Sequence, residues 1–217
     1  MATNFREPFI AVAGLIGAGK TTFATELAKF LDLDAYYEPI ADNELLSAFY
    51  NDMKKYSFAL QVKLASIRFQ QQQYILCGVT GGVSDRSIYE DQIFARMLTD
   101  MGFMTDIEFK TYLEMFNVLK NHMGRPDYII YLDVDPAESF RRIGIRNREV
   151  ERGKISLEYL QKLHSYYDEF MRDIAQYIPV IKIDWNKPLT DAEISDAVAA
   201  TADTIKKNHK KNKTCIV

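Results

Sequence analysis

The stretch GLIGAGKTT, residues 14–22, stands between the apolar run FIAVA (9–13) and the helically spaced TTFATELAKFL (21–31). Residues 14–21 fit G-x-x-x-x-G-K-[ST], and a strand before with a helix after is the context this motif requires. The backbone N–H groups of such a loop, here Gly14, Leu15, Ile16, Gly17, Ala18 and Gly19, cradle phosphate together with the helix N-terminus. Lys20 is placed to reach the β- and γ-phosphates, the Thr21 hydroxyl to bind Mg²⁺, and Thr22 lies beside them. The motif points to ATP or GTP and leaves the acceptor open. A GTPase would also need D-x-x-G and N-K-x-D; neither occurs, and NKPL (186–189) lacks the aspartate.

Outward from the loop, DAYYEP (34–39) reads as a second strand ended by Pro39. Strand, phosphate loop, helix and strand in succession imply a parallel sheet. GGVSD (81–85), the almost wholly apolar YIIYLDV (128–134) and YIPVIKID (177–184) supply three more strands. Helical spacing marks 43–50, 58–76, 88–100, 106–123, 156–176 and 190–207, and Pro136 starts another helix. The expected fold is α/β, three layers, with a five-stranded parallel sheet flanked by helices.

A chain of 217 residues suits one domain. We expect it over residues 1–207, with a basic, flexible tail at 208–217 inside the run KKNHKKNK (206–213). A net charge of −3 argues against a nucleic-acid partner. Cys77 and Cys215 are unpatterned, which suggests a reducing compartment. No apolar run approaches the ~20 residues of a membrane span, and MATNFREPF lacks a secretory core. The expectation is a cytoplasmic protein without membrane association. His122, His164 and His209 show no metal-ligand spacing.

Ligands of open α/β sheets bind beyond the carboxyl ends of the strands. There the sequence places Glu38, the triplet Asp85-Arg86-Ser87, and Asp133 with Asp135. A kinase acting on an alcohol needs a base near the hydroxyl and cations around the transferring phosphoryl group. Glu38 and Asp85-Arg86 meet that need. RRIGIRNREVERG (141–153) crowds five arginines around Glu149 and Glu151. It reads either as a salt-bridged helix end or as an arginine lid closing over phosphates.

Together these motifs resemble the deoxynucleoside kinase family over residues 8–185. GLIGAGKTT is similar to its phosphate loop, YEP to its E-P motif, YSFALQ (56–61) to its F-x-x-Q motif, DRSIYED (85–91) to its acidic-Arg-Ser motif, and RNREVE (146–151) to its lid. DRS and the compact chain look like the bacterial-type branch. The resemblance implies ATP-dependent phosphorylation of a deoxynucleoside 5′-hydroxyl for salvage. It makes Glu38 the general base, Arg86 its partner and a clamp on the phosphoryl group, and Lys20 a phosphate ligand. Thr21 and Asp85 would hold Mg²⁺; Tyr50 and Glu151 the 3′-hydroxyl; Gln61, Arg68 and Asp91 the base. Arg142, Arg146 and Arg148 would form the lid over ATP, and a homodimer is implied. Asp133 stays outside the catalytic set.

Glutamine offers one acceptor and two donors, which suits adenine, cytosine or, flipped, guanine. The family often has an aromatic residue four positions after the aspartate; here that position is Ala95, with Phe94 beside it, suggesting a roomier pocket. Leu64 narrows it. The ranking is deoxyadenosine first, deoxyguanosine and deoxycytidine behind. The alternatives are a nucleoside monophosphate kinase such as thymidylate kinase, whose acceptor needs no carboxylate base, and a nucleotide-binding regulator.

Overall fold

In a computed structural model the described residues are 7–37, 44–78, 81–149, 151–187 and 190–214, the side chains of 209–214 excepted. Strand β1, Phe9–Gly14, is buried along its whole length. Its side chains are apolar because both faces of the sheet are covered there, and its two edges pair with parallel neighbours: β3, Gly82–Asp85, and β4, Tyr128–Asp133. β2, Ala35–Tyr36, pairs outside β3, and β5, Val180–Asp184, outside β4. Among the described residues the sheet order is β2-β3-β1-β4-β5, all parallel, as the sequence led us to expect. The strand order reverses around β1, and the phosphate loop leaves its carboxyl end at that switch point.

Eight helices of the described residues cover the sheet: α1 Lys20–Leu31, α2 Glu44–Asn51, α3 Met53–Cys77, α4 Asp91–Asp100, α5 Asp106–Asn121, α6 Pro136–Arg146, α7 Leu157–Ile174 and α8 Asp191–Thr214. Their caps are local. Asp52 accepts from the Lys55 N–H, Thr105 from Glu108, Asp135 from Ala137 and Ser156 from Tyr159. Phe23, Ala24 and Leu27 of α1 are buried in the core; each large side chain so buried contributes about 1.5–3 kcal/mol.

Several boundaries differ from the sequence reading. α3 starts at Met53, before Phe58, because Asp52 caps it. The segment from Ile88 opens as a 3-10 turn, Ile88–Glu90, before α4. β5 starts at Val180, since Pro179 has no N–H to give a ladder; its carbonyl still accepts from Ile129 at 3.0 Å. α8 carries helical backbone through Thr214, into the segment read as a flexible tail. Residues 38–43, with Glu38 and Pro39, and residues 215–217, with Cys215, lie outside the described residues.

Candidate active site

The phosphate loop is held open from below and behind. Gly17 (φ 81°) and Gly19 (φ 89°) occupy the left-handed region where only glycine is unstrained. A Cβ on Gly17 would stand 2.8 Å from Ile143 Cγ1 and 3.0 Å from the Ser139 carbonyl. Helix α6 therefore sits directly on the loop, and Ser139 Oγ donates to the Ile16 carbonyl at 2.5 Å. Lys20 opens α1 and donates to the Leu15 carbonyl at 2.7 Å. Leu15 and Ala18 are buried, and Gly14 has its back against the Leu132 carbonyl. Ile16, Gly17, Gly19, Lys20, Thr21 and Thr22 face a cavity of about 810 Å³.

Thr21 Oγ1 donates to Asp85 Oδ2 at 2.5 Å across the cavity floor. The other oxygen, Asp85 Oδ1, is buried and has no hydrogen-bond partner among the described residues. A hydroxyl and an unsatisfied carboxylate oxygen beside a phosphate loop are the hard oxygen donors that suit Mg²⁺.

The far wall comes from α2 and α3. Buried positions of α3 (Ser57, Leu60, Gln61, Ala65, Arg68, Gln72 and Ile75) keep a three-to-four spacing, yet more than half are polar. A helix that buries a polar stripe needs partners for it. Arg68 meets Asp91 of α4 in an ion pair, both side chains buried. Gln61 Oε1 has no hydrogen-bond partner among the described residues, and Gln61 and Arg68 line the same cavity as Lys20. Asp91 stands behind Arg68 and does not line the cavity. Leu46, Phe49, Tyr50, Leu60, Leu64, Phe94 and Tyr159 supply its apolar and aromatic surface. Ala95 is packed in the core, and Phe94 faces the cavity instead. The small residue at 95 thus adds no room; the aromatic wall is present one residue earlier.

Arg86 follows β3 with φ 79°, an unusual conformation for a side-chain-bearing residue. The Val12 carbonyl accepts from its N–H at 3.0 Å, and its own carbonyl accepts from Ser84 Oγ at 2.6 Å. These bonds turn the side chain into the cavity, over the Phe94 ring with 5.1 Å from Cζ to the centroid.

The arginine segment divides its work. Arg142 binds Glu138 (2.7 Å) and donates to the Ala18, Trp185 and Lys187 carbonyls. Arg146 pairs with Glu151, and Arg148 stands 3.8 Å from the same carboxylate. Glu151 is only 5% exposed although it lies in a loop. The salt-bridged reading holds for Arg141, Arg142, Arg146 and Arg148, and Arg142, Arg146 and Arg148 also line the cavity. Burial holds the Tyr50 phenol well above its usual range, with Tyr159 and Glu151 adding to it; Tyr50 is a neutral phenol in the cavity wall.

Glu38, the carboxylate assigned as base, lies outside the described residues; Tyr37, its neighbour in sequence, lines the cavity. Sequence reasoning missed Ser139, Phe49 and Tyr159. It also missed Glu90 and Tyr167, which hold Arg86. Glu90 could have been found as the residue four after Arg86; Tyr167 is too far along the chain to carry any signal. Trp185 packs edge-on against Phe23. It also lines a smaller cavity of about 280 Å³ with Ala18, Gly19, Thr22, Arg141, Arg142 and Ile194. Asp133 does not line the large cavity. It is tied to Lys182 at 2.8 Å and His164 at 3.1 Å, and His164 stands 3.6 Å from Asp168. The link from Asp133 to His164 is invisible in linear spacing, and Lys182 is the ion-pair partner of Asp133.

A phosphate loop at the switch point of a five-stranded parallel sheet, facing a cavity with polar and aromatic walls, is the fold and site of a P-loop kinase. The chain belongs to the deoxynucleoside kinase family, whose description, Deoxynucleoside kinase, it matches over residues 10–206. It is similar to the deoxyadenosine kinase of Dictyostelium discoideum, with 48% identity over 91% of this chain and 80% of that one. It is also similar to the deoxyadenosine/deoxycytidine kinase of Bacillus subtilis (strain 168), with 35% identity over 95% and 97% of the two chains. Among solved structures, deoxyadenosine kinase from M. mycoides with bound dCTP superposes with a TM-score of 0.79 at 29% identity, covering 90% of this chain and 99% of that one. The activity is thus phosphorylation of a deoxynucleoside with ATP as donor. Among the described residues no helix is long and apolar enough to cross a membrane.

Proposed function

We propose that the protein is a deoxyadenosine kinase that forms the 5′-monophosphate, with deoxyguanosine and deoxycytidine as poorer acceptors. The observation that carries this reading is that one cavity is lined both by Lys20 and Thr21 of the phosphate loop and by Gln61 and Arg68 of α3. The loop side suits donor phosphates and the α3 side an acceptor base, and Arg86 lines the same cavity. The name of the Dictyostelium relative supports adenine, and the amide of Gln61 can pair with the N6–H and N1 of adenine at once. The Arg68–Asp91 pair holds a donor fork beside it.

Lys20 and the loop N–H groups bind the ATP phosphates, and Arg146 and Arg148 cover them and exclude water. The smaller cavity beside Trp185 takes the adenine of ATP. Glu38 accepts the proton of the 5′-hydroxyl, and Arg86 faces the transferring phosphoryl group. Tyr50 and Glu151 bind the 3′-hydroxyl. Thr21 and Asp85 would hold Mg²⁺, which when bound would supply positive charge to the phosphates. We place the protein in the cytoplasm as a homodimer, joined through α4 and α5; Ile107 and Val118 of α5 are 80% and 60% exposed.

The test is an assay of purified protein with ATP, Mg²⁺ and each deoxynucleoside, with products identified by chromatography. Deoxyadenosine should give the highest kcat/KM and thymidine the lowest. A clear preference for thymidine, or turnover only with monophosphates as acceptors, would overturn the proposal.

A further inference from the structure

We infer that Glu90 and Tyr167 are positioning residues for phosphoryl transfer, acting by fixing the guanidinium of Arg86. The three side chains form a closed triangle. Arg86 Nη1 donates to Tyr167 OH at 2.6 Å and to Glu90 Oε2 at 3.2 Å, and Tyr167 OH donates to the same Glu90 oxygen at 2.7 Å. All three are buried, Arg86 to 6%, Glu90 to 1% and Tyr167 to 0% relative exposure. A buried charge-assisted network is strong when every member is satisfied. Here Nη1 uses both of its hydrogens, and Glu90 Oε1 accepts from the Ser87 N–H at 3.1 Å, so the carboxylate is anchored to the turn after Arg86.

Tyr167 is itself held on two sides. Its ring stacks on Tyr131 at 5.9 Å with 6° between planes, and meets the Phe94 ring edge-on at 6.3 Å. Burial raises the Tyr167 phenol well above its usual range, so it remains a hydrogen donor to Glu90. Phe94 in turn lies under the Arg86 guanidinium. An arginine is otherwise rotamer-rich, and a misplacement of ~1 Å at a reacting centre can cost about 100-fold in rate. The triangle removes that freedom from a cation that lines the same cavity as the phosphate loop.

This inference rests on the proposed role of Arg86, and the test separates the two. Tyr167→Phe and Glu90→Gln are each made alone and combined with Arg86→Ala, and steady-state kinetics and thermal melting are measured. Tyr167→Phe and Glu90→Gln should each lower kcat about 10- to 100-fold with little change in either KM. Neither should lower activity further in the Arg86→Ala background, because groups acting through one residue are not additive with its loss. Parental kcat in a well-folded Tyr167→Phe protein overturns the inference. So does an undiminished additional loss in the Arg86→Ala background, which would leave the role of Arg86 standing. If Arg86→Ala alone turns over normally, the role of Arg86 falls and the inference with it. Should Glu90→Gln fail to fold, Tyr167→Phe, which removes only a hydroxyl, decides the matter.

Discussion

Arg142 Nη2 donates to the carbonyl of Trp185 at 2.7 Å, joining helix α6 to the loop that follows β5. The same guanidinium reaches the Ala18 carbonyl of the phosphate loop at 3.3 Å and the Lys187 carbonyl at 2.9 Å. One side chain therefore ties together three segments around the smaller cavity. Arg142→Ala leaves those carbonyls without their charged donor, at about 1.5–3 kcal/mol for a hydrogen bond to a charged group. We expect KM for ATP to rise by at least ~10-fold and the melting temperature to fall, with KM for the nucleoside little changed. Parallel ATP and nucleoside titrations check the split.

Gly17→Ala tests the seat of α6 on the loop. The added methyl would stand 2.8 Å from Ile143 Cγ1, at a backbone φ of 81°. Left-handed strain alone costs about 1–3 kcal/mol. ATP affinity, measured by calorimetry, should drop by at least ~10-fold, and a variant binding ATP as the parent does would contradict the packing described.

Gln61→Leu replaces the buried amide whose Oε1 has no hydrogen-bond partner among the described residues. Unpaired polar groups on a bound base cost about 1–3 kcal/mol each. The kcat/KM for deoxyadenosine should fall about 10- to 100-fold while ATP binding persists. Unchanged kcat/KM would remove Gln61 from base recognition.

Asp91→Asn removes the charge of one partner of the buried Arg68–Asp91 ion pair. Loss of one partner of a buried pair costs about 3–5 kcal/mol. Denaturant unfolding should show a loss of that order.

Acidity offers a separate handle on α6. Hydrogen bonds from Arg141, and then Arg142, push the Glu138 carboxyl down from 4.5 to about 2. A depressed carboxyl stabilises the fold above its unfolded value, and that contribution is lost as pH falls through the folded value. Glu138→Gln should therefore lower the melting temperature near neutral pH, and the gap from the parent should close between pH 4.5 and about 2. A gap independent of pH would show that the ion pairs contribute nothing.

The phosphate loop was legible because its chemistry is local: glycines, Lys20 and Thr21 act within one turn of chain, between an apolar strand and an amphipathic helix. The five strands were legible for a similar reason, since those buried on both faces read as continuous apolar runs. Strand and helix ends were less so. Asp52 capping α3 and Pro179 shortening β5 shift boundaries by single residues whose effect depends on which bonds the neighbours need. The opening 3-10 turn at Ile88–Glu90 follows from Glu90 bonding back to Ser87, a choice made by the buried arginine it also serves.

Sequence by itself thus determined the parallel α/β sheet and the phosphate loop and, through motif resemblance, singled out many of the residues that line the cavity. Periodicity and short-range chemistry suffice for these, because backbone sterics and local hydrogen bonds act over a few residues. Tertiary structure decided what no spacing encodes. It put Phe94 rather than Ala95 on the cavity wall, turned Arg142 onto backbone carbonyls, and set Asp133 among Lys182 and His164 instead of in the cavity. It also closed Arg86, Glu90 and Tyr167 into one buried triangle. Buried charge must find its partner wherever the chain brings one, and Tyr167 reaches Arg86 only because α7 packs against α4 beside the sheet.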